Sequence, residues 1–362
     1  MRLLFALSGF HRYDRGAETA LLSVADELAR NGADVVVAGG GTLRPGTAYK
    51  FVHVPALARE KFEGLPAIPF LRDEVRWEDA SFAFNLPRRL DLNAFDATFT
   101  CAFPFTNLRL RRFGRKPHPA HFFVTQNGDW PARSDKLEFR LFSCDGLVCT
   151  NPEYYAHNQE RWNCALVPNG IDMDRFSPGK AMRAKFDLPQ DKQIILMVSA
   201  FINSKRVLEG IRAVSRLENA FLVVAGDGPM RAEGDRLAAE LLPGNYRRIS
   251  VAAHDMPELY RSADVFLHMS KFESFGNVYL EAAASGLPVV AHDNSITRWI
   301  LGDAPFLCDT GDETELLLNL ERALTAGPQQ IDQSLARFTW PAIAAQYRSF
   351  VEQTLAARAV RQ

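Results

Sequence analysis

The sequence predicts an α/β protein of two domains, each a parallel sheet covered by helices on both faces. Three observations predict it. The chain has 362 residues, too many for one ordinary hydrophobic core. Short apolar runs rich in Val, Ile, Leu and Phe alternate with helical stretches along it. The alternation comes as two series, divided near Pro168-Asn169-Gly170.

In chain order, residues 3–7 (LLFAL) read as the first strand. Residues 18–31 carry helical periodicity, and residues 33–39 (ADVVVAG) return to a strand. Residues 121–126, 146–150 and 164–169 are further short β-rich runs. The second series opens with a strand over 193–200 and a helix from Val207. Strands over 220–226, 249–253, 265–270 and 288–292 follow. Residues 340–357 form an amphipathic helix at the end of the chain. Residues 58–90, rich in Pro, Phe and Arg, fit neither period and read as an irregular insertion. The expected domains are 1–168, completed by 340–362, and 169–339.

Composition narrows the function classes. A hydrophobic fraction of 47% is enough for buried cores. A net charge of −1 gives no global pull toward nucleic acid. The five cysteines (Cys101, Cys144, Cys149, Cys164 and Cys308) include no CxxC spacing, which fits reduced thiols of a cytoplasmic protein. The apolar start is too short for a signal segment, and no run approaches a membrane span. One basic run, Arg109, Arg111, Arg112, Arg115 and Lys116, reads as a solvated face or as a peripheral contact with anionic lipid at the cytoplasmic side.

Open α/β domains bind ligands beyond the carboxyl ends of their strands, here in the cleft between two such domains. The segment KFESFGNVYLEAAASGLPVVA (residues 271–291) carries the densest signal. It follows a strand, and Gly276-Asn277 can open a helix with Asn277 as its cap. Glu273 then sits on the loop and Glu281 one turn into the helix, eight positions on. A carboxylate can accept two sugar hydroxyls, so Glu281 suits a ribose diol and Glu273 a donor-sugar diol. The free amides and positive end of the helix suit a phosphate. Taken alone, two glutamates at this spacing are more often solvated surface groups.

Residues 273–277 (ESFGN) with 281–290 (EAAASGLPVV) closely resemble the signature of retaining GT-B glycosyltransferases of family 4 (group 1). Residues 167–172 (VPNGID) with Phe176, residues 224–229 (VAGDGP), Tyr260 with residues 262–265, and Gly16-Ala17-Glu18 resemble further landmarks of that family. The resemblance implies a GT-B fold, in which two Rossmann-like domains face a cleft and a C-terminal helix crosses back to the N-terminal domain. That domain would bind the acceptor, and residues 169–339 the nucleotide-sugar donor. Glu273 resembles the glutamate on the donor-sugar hydroxyls and Glu281 the one on the ribose. The amides of Phe275, Gly276 and Asn277 would hold sugar and phosphate. Lys205 resembles the lysine on the diphosphate, and Gly16 the glycine of the first loop.

Three positions depart from the family pattern. Ala200 stands where an Arg is common, and Arg206 beside Lys205 takes its place in the family's Lys-Arg variants. Arg15 stands where a second loop glycine is common. No His follows the strand ending at Gln126, and either Gln126 or Asn127 occupies that position.

The resemblance implies same-face substitution, in which the leaving diphosphate oxygen takes the acceptor's proton and Lys205 and Arg206 neutralise its charge. A double displacement would need a carboxylate nucleophile; Asp129 is the one left open. No cofactor and no metal are expected, and Asp172-Met173-Asp174 lies apart from the glutamate segment. The partners are a nucleotide sugar and an acceptor of glycan, lipid-linked or small-molecule type. Arg15, Gln126, Asn127 and Asp129 are the acceptor-side candidates. Two other readings use the same cleft: a nucleotide-sugar epimerase, and a non-catalytic nucleotide-sugar-binding subunit.

Overall fold

In a computed structural model, which describes residues 1–59, 71, 73–111, 118–126, 134 and 137–361, the run Leu3-Leu4-Phe5-Ala6 becomes strand β1 (Arg2–Ala6). Successive strand residues point to opposite faces. Leu3 and Phe5 accordingly enter one buried cluster and Leu4 and Ala6 another. A strand buried on both faces needs no polar alternation, which is why it reads as a continuous apolar run.

The chain divides into two compact units, Met1–Gly170 with Trp340–Gln362, and Ile171–Thr339. The first holds a seven-stranded parallel sheet of β1, β2 (Asp34–Gly39), β3 (Lys50–His53), β4 (Ala97–Thr100), β5 (Ala120–Val124), β6 (Gly146–Cys149) and β7 (Cys164–Leu166). Its spatial order is β3-β2-β1-β4-β5-β6-β7. The helices of this unit are α1 (Gly16–Arg30), α2 (Glu74–Arg89), α3 (Phe105–Arg111), α4 (Pro152–Asn158) and the C-terminal helix α11 (Trp340–Arg361). Ile343, Tyr347, Phe350 and Val351 place one stripe of α11 in the core, with Tyr347 against Phe99 of β4 and Phe350 against Phe122 of β5. At the junction, a Cβ on Gly170 would stand 2.4 Å from the Trp340 ring, so only glycine lets α11 start there.

The second unit repeats the design with six strands: β8 (Gln193–Val198), β9 (Ala220–Ala225), β10 (Tyr246–Ile249), β11 (Val265–His268), β12 (Val289–His292) and β13 (Leu307–Cys308). Their order is β10-β9-β8-β11-β12-β13, all parallel. Ile194 and Leu196 of β8 point into one cluster, Ile195 and Met197 into the other. The helices are α5 (Val207–Val214), α6 (Arg231–Leu241), α7 (Met256–Arg261), α8 (Asn277–Ala284), α9 (Ser295–Leu301) and α10 (Glu313–Ala326). Both sheets reverse their winding at one place, between β1 and β4 and between β8 and β11. Such a reversal opens a crevice at the strands' carboxyl ends.

Four local expectations need correction. Residues 58–90 are not wholly irregular, because α2 runs from Glu74 with Asp73 as its side-chain cap. Glu78 and Asp79 face inward beside Phe82 and Leu86, and these buried charges break the apolar period. The strand expected over 249–253 lies earlier, at β10, where Tyr246 and Arg248 bond Asp235 and leave the strand half polar. Helix α1 starts at Gly16 rather than residue 18. Helix α8 is capped by Gly276, not Asn277, which is its first helical residue.

Candidate active site

The second unit's switch point gathers the charged residues singled out by sequence. β8 leads to a short turn, Asn203–Lys205, and then to α5; β11 leads to the loop of Glu273 and then to α8. Ser270, buried at the end of β11, shares its hydroxyl between the carbonyls of Ser204 and Phe272, at 3.2 and 2.9 Å. That clamp fixes the turn bearing Lys205 against the loop bearing Glu273. Phe275 anchors the far end of the loop, edge-on to Trp299 and Phe338. Gly276 then adopts φ +87°, and a Cβ there would stand 2.5 Å from the Tyr279 ring. Glycine is therefore required at the turn into α8.

Lys205 Nζ lies 2.5 Å from Glu273 Oε1, and His268 Nε2 lies 2.8 Å from the same oxygen. The Glu273 side chain is 13% exposed, that of Lys205 25% and that of His268 2%. Burial alone would raise the Glu273 carboxyl, but the bond and charge of His268 and the charge of Lys205 outweigh it and hold it at about 2. Glu273 is an anion at any physiological pH. Its Oε2 has no hydrogen-bond donor among the described residues.

Glu281, partly buried on α8, accepts a 2.7 Å bond from Tyr260, whose side chain is wholly buried on α7. Burial pushes the Glu281 carboxyl above its ordinary value, against the Tyr260 bond and the charge of Arg175. The two glutamates share a design, one oxygen held by a buried ring, and carry opposite shifts.

Arg206 adopts a left-handed backbone, φ +52°, ahead of α5. Its guanidinium donates to the carbonyl of Met269, to Thr310 Oγ1 and to the Thr310 carbonyl, each at 3.1 Å. It braces the ends of β11 and β13, whereas Lys205 bonds a side chain on the loop. Asp172 Oδ1 accepts from the backbone of Asp174 and Arg175, so it closes its own turn.

In the first unit, Arg15 and Gly16 open α1 beside that sheet's own switch point. Arg15 bonds Glu18 at 2.6 Å and lies over the Tyr13 ring. Gln126 and Asn169 exchange two side-chain bonds, of 2.8 and 3.1 Å, tying the end of β5 to the junction. Asn127 and Asp129 lie outside the described residues, as do Arg112, Arg115 and Lys116. Arg109 and Arg111 donate to the carbonyls of Ala83 and Leu141. No helix among the described residues is long and apolar enough to cross a membrane.

Comparison with known proteins places this geometry. The description "Glycosyltransferase Family 4" matches residues 15–175, and "Glycosyl transferases group 1" matches residues 179–336. The chain belongs to the group 1 glycosyltransferases. Among other members, the lipopolysaccharide core biosynthesis glycosyltransferase LpsE of Rhizobium meliloti (strain 1021) is 29% identical over 196 residues, 53% of this chain and 56% of that protein. The aligned stretch thus spans little more than half of that curated relative. Sucrose-phosphate synthase from Thermosynechococcus elongatus superposes with a TM-score of 0.77 at 20% identity, covering 98% of this chain and 99% of that one. Anabaena HepE in complex with UDP-glucose superposes with a TM-score of 0.66 at 14% identity, covering all of both chains. These likenesses show the fold of a group 1 glycosyltransferase, GT-B.

The expectation from sequence named Glu273, Glu281 and Lys205, and Tyr260 only as a family landmark with no part in the site, and passed over His268. His268 had one visible signal, a polar residue closing an otherwise apolar strand at its carboxyl end, where ligands bind.

Proposed function

We propose that this group 1 glycosyltransferase moves a sugar from a nucleotide-diphosphate sugar to an acceptor with retention of anomeric configuration, without needing a metal. The observation that carries the reading is the Lys205–Glu273 contact at the switch point, beside the start of α8. The turn through Phe275, Gly276 and Asn277 into α8 and the positive end of that helix suit the diphosphate. Glu273, fixed as an anion with Oε2 open, suits the hydroxyls of the transferred sugar. Glu281, one turn into α8, suits the ribose.

As the bond from anomeric carbon to diphosphate oxygen breaks, negative charge grows on the phosphate and positive charge on the sugar. Lys205 answers the first and the Glu273 carboxylate the second, so both contacts strengthen toward the transition state. The acceptor hydroxyl attacks from the leaving-group face and passes its proton to the departing phosphate oxygen. Lys205 and the helix amides take up the charge that a metal would otherwise meet. That HepE is solved with UDP-glucose and that LpsE is named for a lipopolysaccharide core supports a nucleotide-sugar donor and a glycan acceptor.

Titration of two variants with UDP and with GDP tests the assignment. Glu281→Gln should bind the nucleoside diphosphate poorly and Glu273→Gln almost normally, since the diphosphate carries no sugar. Normal binding by both variants would remove the glutamates from the nucleotide site. Turnover abolished by EDTA and restored by manganese would overturn the metal-free reading. The anomer of the product, read by NMR, decides retention.

A further inference from the structure

His268 lies where an apolar residue would pack. It ends β11, its ring parallel to that of Phe266 at 6.1 Å and edge-on to Tyr279 at 5.1 Å. Phe266 and Tyr279 both belong to the buried apolar cluster on that face of the sheet. A polar ring in such a place costs free energy unless its nitrogens are bonded. Only one of them is. Nε2 meets Glu273 Oε1, while Nδ1 is buried with no hydrogen-bond partner among the described residues. A phenylalanine would fill the volume without leaving that nitrogen unsatisfied. Stability of the core therefore does not account for the histidine, and its one bond leads out of the core to the Glu273 loop.

Both donors to Glu273 converge on a single oxygen. Lys205 and His268 approach Oε1, so the carboxylate is pinned there and Oε2 is left to face a ligand. The two donors differ in kind. Lys205 is a point charge on a flexible four-carbon stem, set on a short turn. His268 is a rigid ring wedged between two others. A donor diphosphate draws the ammonium of Lys205 toward itself. Glu273 would then lose part of its hold just as its orientation toward the sugar matters, unless a second donor stays behind.

We propose that His268 is a positioning residue for the transfer reaction: it holds Glu273 Oε1 so that the carboxylate keeps its aim at the sugar while Lys205 is shared with the diphosphate. This rests on the reading of Glu273 as the donor-sugar ligand. His268 touches neither substrate nor the reacting atoms; it acts through Glu273.

The test compares His268→Phe, which keeps the volume and loses the N–H, with His268→Gln, whose amide nitrogen can replace Nε2. Turnover is followed by release of nucleoside diphosphate from UDP-glucose or GDP-mannose, whichever the wild type uses. UDP or GDP binding is measured by titration calorimetry. Loss of one charge-assisted bond predicts that His268→Phe lowers kcat/KM by roughly 10- to 100-fold, mostly in kcat. Nucleoside diphosphate affinity should stay within about threefold, and His268→Gln should recover most of the rate. In a Glu273→Gln background, His268→Phe should cause little further loss, because the two act as one unit. Turnover of His268→Phe within about threefold of wild type overturns the proposal. So does equal damage in the Gln and Phe variants, or parallel loss of diphosphate binding, which would mark a structural role. Full turnover by Glu273→Gln alone would instead sink the donor-sugar reading, whatever the His268 variants do.

Discussion

Replacing Glu273 by glutamine asks whether the cluster at β11 is stable in its own right or strained for function. Glutamine keeps the shape and removes the charge. It leaves the three-quarters-buried Lys205 without its counter-ion and the buried His268 without an anionic acceptor. The carboxyl sits at about 2 against 4.5 for an ordinary one, a gap that corresponds to about 3 kcal/mol in favour of the folded anion. The glutamine carbonyl can still accept one of the two bonds, so the net loss should be about 1–3 kcal/mol at pH 7. The second unit spans Ile171–Thr339, and for a domain of that size such a loss lowers Tm by roughly 2–10 °C. The sign of the pH dependence follows from the direction of the shift. A carboxyl depressed in the folded state contributes its full stability above the unfolded value of 4.5 and loses it as pH falls from there toward 2. The Tm gap between wild type and variant should therefore be constant from neutral pH down to about 5 and narrow only below that. Differential scanning calorimetry of both proteins across this range, without ligand, measures it. A variant as stable as wild type at pH 7, or a gap that widens on acidification, would refute the reasoning. It would mean that the three groups are held together against their preference.

The remaining predictions concern single contacts. Lys205→Ala should weaken binding of UDP or GDP by roughly 10- to 100-fold, the worth of a charge-assisted contact to phosphate; unchanged affinity in calorimetry would move the diphosphate elsewhere. Tyr260→Phe removes the donor on Glu281 and lets burial raise that carboxyl further, so nucleoside diphosphate affinity should drop and fall more steeply as pH is lowered. A titration series between pH 5 and 8, the range where histidine also titrates, checks that slope against wild type. Gly276→Ala forces a Cβ toward the Tyr279 ring at φ +87° and should cost about 1–3 kcal/mol, read by thermal unfolding. A neutral Gly276→Ala would show that the entry to α8 can relax.

The sheets were legible because their strands are buried on both faces. β8, β9 and β11 announce themselves as runs of Ile, Leu, Val and Phe, with no polar face to confuse the period. Elements that carry buried polarity were hidden. β4 reads Ala-Thr-Phe-Thr, and its Thr98 and Thr100 are buried by bonding His121 and the Ala6 carbonyl. α2 turns Glu78 toward Arg59 and Asp79 toward the start of α3, where the Asp79 carboxylate accepts from the Phe105 and Thr106 amides. No single-chain period encodes such contacts, since the partners come from elsewhere in the sheet. The site divides in the same way. Glu273, Gly276 and Glu281 lie within nine residues, so one loop and one helical turn set their relation. His268 also stands only five residues before Glu273, but Lys205 to Glu273 depends on β8 pairing with β11, Ile195 beside Val265 and Leu196 beside Phe266. That register brings the two loop ends together, and sequence spacing does not contain it.

The opposite shifts of the two glutamates follow from what each ring can give. A tyrosine hydroxyl is neutral, so Tyr260 supplies one hydrogen bond to Glu281 and no charge to offset burial. Glu273 has an ammonium and an imidazole on one oxygen, and its ionisation is secured. In the proposed reaction the two glutamates are asked for different things. The ribose keeps the same charge throughout, and a carboxylate that only accepts its hydroxyls holds ground state and transition state alike. The sugar beside Glu273 becomes cationic as its bond to the diphosphate stretches, and a carboxylate that stayed partly protonated would forfeit that attraction. Holding Glu273 near 2 while Glu281 is pushed upward thus places the two donors, one of them the Lys205 ammonium, where charge develops. The nucleotide side, where charge does not change, is left to a neutral donor.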